Sequence, residues 1–186
     1  AGFTCRFSGS SPAVLVLTAA SVYRVFLNGV FLFHGPARAA LGDCRVDVLE
    51  LPASLLQPEN VLAIEVVNFY VNNFYVPKQP AFVQAEVRRG NRVLCHTGID
   101  GDFRAALLTY RLQKTQRFSF QRPCVDAFRV SPDYTDWRFG IGMDSHPLSE
   151  AVAGQYLCRR VPYPVFRTRQ AVPAFVGGEF NRIALS

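Results

Sequence analysis

The sequence predicts an all-β fold, an antiparallel β-sandwich with an extended C-terminal strap, on three observations. Apolar residues make up 49% of the 186 positions and aromatics 13%, with sixteen Phe against one Met and one Trp, a composition that favours packed, twisted sheets over helical bundles. Short apolar runs recur between Gly, Asn and Pro at the spacing of sandwich or barrel strands. Between two such runs stands Asn28-Gly29, the residue pair that favours the type I′ turn of a tight hairpin. Strands do not alternate with helical segments, so a parallel βαβ architecture is excluded.

Taken in order, the expected strands are 14–18, Val22–Leu27 (less cleanly alternating), 30–33 after the Asn-Gly turn, and 46–51, where Val46, Val48 and Leu49 alternate with Asp47 and Glu50. The stretch LPASLLQPEN then supplies one turn of helix stopped by Pro58, and VLAIEVV at 61–67 reads as a buried strand. Three more strands are expected at 81–88, Arg92–His96 and 117–121, separated by Gly90-Asn91, Gly98 and the Asp100-Gly101-Asp102 turn. The one credible helix spans 148–157, with Ser149 as its cap. Residues 1–145 are thus the sandwich module, and 146–186 a short helix followed by a Pro-rich connector or strap. The strap still carries Val165, Phe166, Phe175, Val176, Phe180 and Ile183. A free solvated tail is rarely so apolar, so it is expected to dock on a surface.

Charge and cysteine content narrow the function. The net charge is +6, which invites a nucleic-acid reading. However, half of that excess lies in residues 145–186, with five Arg against two Glu, and the other basic residues are spread along strands as a solvated face. A basic nucleic-acid binder and a nucleic-acid partner are therefore disfavoured. The longest apolar runs, such as AVLVLTAA at 13–20, stop far short of the ~20 residues that cross a bilayer, and the N-terminal AGFTCRFSGSS lacks the basic start and apolar core of a secretory signal. Cys5, Cys44, Cys95, Cys124 and Cys158 are odd in number and form no CxxC pair, so neither a disulfide framework nor a zinc site is suggested. Buried, reduced thiols and a cytoplasmic location are expected. No cofactor is implied.

The segment NFYVNNFYVPKQPAF at 68–82 is the most unusual in the chain. Sugar sites combine an aromatic face, which receives the C–H side of a pyranose, with amides that satisfy paired hydroxyls. Tyr70, Asn72, Asn73 and Tyr75 are the carbohydrate-binding candidates here. Phe74, equally, suits a contact with another domain, and plain packing is the third reading. Trp137 is either a stacking platform or a plug for the sandwich core, the commoner fate of a large aromatic near a last strand. Asp100 and Asp102 are too few carboxylates for a calcium loop, so no metal ligand is assigned. Glu50, Glu65, Glu86 and Asp126 show no shared loop cluster that would face two carboxylates across a cleft. No GxSxG, HExxH or P-loop pattern appears, so no residue is assigned a catalytic role.

The motifs ASVYRVFLNGVFLFHGPAR, RVDVLELPASLL and ENVLAIEV, followed by Asp136-Trp137-Arg138 and LCRRVPYP, together resemble the N-terminal sandwich of bacterial α-L-rhamnosidase-type glycoside hydrolases. Asn28-Gly29, Gly35-Pro36-Ala37-Arg38, Asp47, Leu55-Leu56 and Asn60-Val61 fall at the matching places. The resemblance covers roughly residues 13–165. One departure is clear: Pro58 stands before Glu59-Asn60 where the family usually has Gly, so that turn must be rebuilt. The resemblance implies a galactose-binding-like jelly roll preceding a separate (α/α)-barrel catalytic domain of the same parent chain, with the catalytic acid and base on that barrel. It therefore implies a non-catalytic accessory module, with carbohydrate as a possible further partner. An independent lectin-like module is the alternative. In the Gly-Pro-Ala-Arg loop, Gly35 permits a positive φ, Pro36 fixes direction and Arg38 offers a rigid fork. Arg38 is thus a domain-docking candidate, or else the partner of Asp47 within the domain.

Overall fold

The computed structural model describes residues 1–122, 124–143, 149, 154–167, 169 and 170. Among the described residues, ten strands form two five-stranded sheets: β1 (Gly2–Ser8), β2 (Val14–Ala20), β3 (Val22–Leu27), β4 (Val30–Gly35), β5 (Asp43–Glu50), β6 (Glu59–Val67), β7 (Phe82–Arg89), β8 (Arg92–His96), β9 (Arg104–Ala106) and β10 (Gln155–Cys158). The first sheet runs β4-β3-β6-β1-β9 and the second β10-β5-β2-β7-β8. The chain is an all-β sandwich. The pairs of these ten strands are antiparallel except at one edge, where β10 lies parallel to β5.

Alternation explains the main core. Phe3, Cys5 and Phe7 of β1, Leu15, Leu17 and Ala19 of β2, Tyr23, Val25 and Leu27 of β3, and Leu62 and Ile64 of β6 all point between the sheets and are buried. Successive side chains leave opposite faces of a strand, so every second residue joins that layer. β3 and β6 break the pattern because their outer face is covered too. Phe26 and Ala63 join Leu108, Trp137 and Met143 in a second cluster outside the first sheet. That double burial is why Val22–Leu27 alternates poorly and why VLAIEVV is apolar almost throughout.

Asn28 and Gly29 both have positive φ, 50° and 81°, as a type I′ hairpin requires. Asn28 also joins three elements. Its amide donates to Leu55 O at 2.8 Å and its carbonyl accepts from Val61 N at 2.8 Å. Asn60, 1% exposed, accepts from Gln57 N at 2.8 Å and donates to Gln57 O and Gly9 O at 2.7 and 3.2 Å. The turn holding Pro58 is rebuilt around this asparagine, and Pro58 O accepts from Gly9 N at 2.6 Å. The single helical turn before it is a 3₁₀ helix at Ala53–Leu55.

Four expectations are corrected. Residues 117–121 form no strand, only a bridge between Arg117 and Cys124. Of the expected helix 148–157, residues 148 and 150–153 lie outside the described residues, while Gln155 to Leu157 belong to β10. There Gly154 passes so close to Gly42 that a Cβ would sit 1.6 Å from its carbonyl oxygen, an approach open only to glycine. Gly35 does not use a positive φ; a Cβ there would meet the Tyr23 hydroxyl at 2.5 Å, so closeness is its reason. Lastly, Cys124 is half-buried and Cys158 exposed, whereas Cys5, Cys44 and Cys95 are buried.

Candidate docking face and carbohydrate site

The 68–82 loop leaves the end of β6 and returns into β7. Its asparagines build it. The Asn68 carbonyl accepts from Tyr70 N at 2.8 Å while its amide donates to Gln79 O at 3.0 Å. Asn73 accepts from Tyr75 N and Val76 N at 2.7 and 3.1 Å, and Asn72 from Lys78 N at 2.7 Å. The Asn68 and Asn73 contacts are Asx-type turns, in which a short amide replaces a ladder partner, while Asn72 clasps the loop across six residues. The carbonyl oxygens of Asn72 and Asn73 are thereby occupied by backbone. The Asn73 Nδ2 is buried with no partner, so of the two side chains the exposed Asn72 is the one a sugar can reach.

The aromatic residues remain outside. Tyr70, Phe74 and Tyr75 are 59%, 63% and 48% exposed. Tyr70 also has a φ of 52°, a conformation that a bulky residue adopts only where its surroundings impose it. The 117–122 segment backs this loop: Arg117 donates to Asn72 O at 2.6 Å and to Phe120 O, Phe74 N donates to Gln121 O at 3.1 Å, and the Phe74 and Phe120 rings meet edge to face at 6.3 Å. From the other side the Arg38 guanidinium lies 4.6 Å over the Tyr75 ring. Arg38 and Tyr75, assigned to different tasks on sequence, are therefore neighbours.

Beside the loop is an open cleft of about 300 Å³. Phe69, Tyr70, Phe82, Arg111, Gln113 and Asp126 are among the residues that line it. Arg111 is bound to the buried Glu65 at 3.3 Å and to Asp126, and Arg24 reaches Glu65 at 2.6 Å. The fold thus brings together two carboxylates that sequence reasoning kept apart, but it does so through a shared guanidinium. Both are engaged as ion-pair partners.

Trp137 stands elsewhere. It is 6% exposed in a 3₁₀ turn, Asp136–Phe139, and packs edge-on against Phe26 at 5.9 Å. Its place is in the second core, as the packing reading has it, and it is not part of the loop's aromatic surface.

The strap docks by a buried latch that sequence reasoning did not assemble. Asp47, fully buried on β5, accepts from the Tyr23 hydroxyl of the opposite sheet and from Arg159 Nη1 at 2.8 Å. Arg159, not Arg38, is its ion-pair partner. Burial and the Asp47 carboxylate push the Tyr23 phenol far above its ordinary pKa, since both disfavour a second negative charge. Arg159 also donates to Val161 O and Pro162 O at 2.9 and 3.0 Å and lies 4.6 Å over the Tyr163 ring. Beyond it Tyr163 packs on Phe33 at 5.5 Å, Phe166 on Phe31 at 5.2 Å, and Val48 N donates to the Tyr163 hydroxyl at 2.8 Å. The signals were present separately, an acid amid apolar strand residues and the Arg-Arg of LCRRVPYP.

No protein-family model and no curated protein matches the chain. Among solved structures, the crystal structure of a GH78 family rhamnosidase of Bacillus sp. GL1 superposes with a TM-score of 0.70 at 23% identity, covering 87% of this chain and 18% of that enzyme. What is shared is the fold. A lectin of Pleurotus ostreatus in its apo form also matches, at a TM-score of 0.35 and 20% identity over 67% of this chain and 32% of the lectin, a similarity too low to carry an argument. The chain spans about a fifth of the rhamnosidase's length.

Proposed function

We propose that this chain is a non-catalytic accessory domain of an α-L-rhamnosidase-like glycoside hydrolase, and that it sets the position of a catalytic domain in the same parent chain. The observation that carries the reading is the Arg159–Asp47 latch. A flexible linker would be solvated, whereas this connector is pinned into the sandwich core and laid along Phe31 and Phe33, so its direction is set by the sandwich. The ordered motifs of the sequence and the fold shared with an 18% portion of a GH78 rhamnosidase support the same parent. The subclass we assign is a galactose-binding-like jelly roll, with residues 1–145 as the module and 146–186 as its connector. Phe74 and Phe120, packed on each other yet exposed, are the docking surface, with Arg38 at its margin.

The test uses the parent reading frame. Expressed whole, it releases the aglycone from an aryl α-L-rhamnoside, residues 1–186 alone do not, and Phe74→Ser with Phe120→Ser lowers the melting temperature of the whole protein while leaving that of residues 1–186 unchanged. A frame without glycosidase activity, or identical behaviour of the Phe variants in both contexts, overturns the proposal.

A second reading, a lectin-like carbohydrate module, is favoured by the cleft beside Tyr70 and by that residue's imposed φ. It expects saturable binding of L-rhamnose or its oligosaccharides to the isolated chain in calorimetry, lost in Tyr70→Ala or Tyr75→Ala. Flat titrations remove it.

A further inference from the structure

Two cysteines that the accessory role leaves unused face each other across the sandwich. Cys5 lies on β1 of the first sheet and Cys95 on β8 of the second. Both side chains point into the core, at 2% and 1% exposure. Their sulfurs are 2.7 Å apart although the residues are 90 positions apart in sequence. Non-bonded sulfurs do not rest so close, and a disulfide needs only a further small approach to about 2.05 Å. The neighbouring strand pairs, Cys5 with Leu62 and Cys95 with Val87, hold the two backbones in register with their own sheets, so the side chains are aimed at each other by the fold.

We infer that Cys5 and Cys95 are a modification site, which a disulfide oxidant converts to a covalent bond between the two sheets. With oxidised glutathione as the oxidant, one cysteine thiolate attacks its S–S bond, forming a mixed disulfide and releasing one glutathione thiolate. The second cysteine thiolate then displaces the other, so two thiol protons and two electrons leave the pair and two reduced glutathiones form. This inference is independent of the accessory reading, and it departs from the expectation that all five thiols stay reduced.

The site has a built-in kinetic property. Burial, with the neighbouring Cys95, raises the Cys5 thiol well above its ordinary pKa, and the thiol form does not attack disulfides. The bond therefore closes while the chain folds, before β8 seals against β1. Once formed it resists reductant until the sandwich opens.

The experiment is refolding with and without oxidised glutathione, followed by alkylation under denaturing conditions and peptide mapping. Oxidised protein should show three alkylatable thiols instead of five, with one cross-linked peptide pair containing Cys5 and Cys95. Its melting temperature should rise by roughly 10 °C, because the bond closes a long loop in the unfolded chain. That rise should vanish with reductant under unfolding conditions and be absent in Cys5→Ala/Cys95→Ala. Should that variant fail to fold, the wild-type peptide map decides alone. Five alkylatable thiols after oxidative refolding, or a cross-link that joins Cys44, Cys124 or Cys158 instead, overturns the inference.

Discussion

The strap and the aromatic loop are both irregular, both rich in aromatics and both anchored by polar side chains, yet they are held in opposite ways. The strap from Arg159 to Phe166 is tied to the core by a buried charge pair and covers Phe31 and Phe33. The 68–82 loop is shaped mainly by its own asparagines, with Arg117 and Gln121 backing it, and keeps Tyr70, Phe74 and Tyr75 outside. A segment whose anchors are long-range makes its position part of the global fold. One whose anchors are mostly local keeps its shape while leaving its apolar surface free for something else.

Substitutions that remove an anchor should separate the two regions. Asp47→Ala strands the Arg159 guanidinium and the Tyr23 hydroxyl in the core and should cost about 3–5 kcal/mol in urea unfolding. A loss no greater than that of a surface change would break the comparison. Tyr23→Phe should cost about 1–3 kcal/mol at neutral pH, and it carries a pH signature. Because the folded phenol has a raised pKa, its contribution is fully present below the ordinary tyrosine value near 10 and is lost as pH climbs above it. The alkaline decline in stability should therefore be shallower in Tyr23→Phe than in the wild type.

Smaller effects sharpen the contrast. Tyr163→Phe removes the acceptor for Val48 N but keeps the ring, and should cost about 1 kcal/mol while speeding hydrogen exchange at Val48. Asn73→Ala should leave global stability within about 1 kcal/mol but speed amide exchange at Tyr75 and Val76, which lose their acceptor. Phe74→Ser in the isolated chain should change stability by less than about 0.5 kcal/mol. A larger loss would make the loop part of the core after all.

The legible parts of this protein were those that a few neighbouring residues decide. Asn28-Gly29 selects a hairpin because both residues tolerate positive φ, and VLAIEVV declares a strand buried on both faces by being apolar at consecutive positions. β1 is absent from the expected strands although its signal, the alternation of Phe3, Cys5 and Phe7, is as local as theirs. The aromatic loop could be singled out by composition, but not the use of its asparagines, since an amide oxygen serves a backbone N–H or a ligand equally well until the turn geometry is known.

By itself, then, the sequence determined the class of fold, the central hairpin, most strands and the apolar character of the strap, all consequences of local propensity and of the period of two in extended chain. Tertiary structure alone decided that Asp47 meets Arg159 and not Arg38, that Gln155–Cys158 adds a parallel edge strand, and that Trp137 belongs to a second core. Those outcomes depend on which residues the folded sheets bring together across more than a hundred positions of chain, as Asp47 and Arg159 are at 112. Nothing in the spacing of residues along the chain encodes that distance.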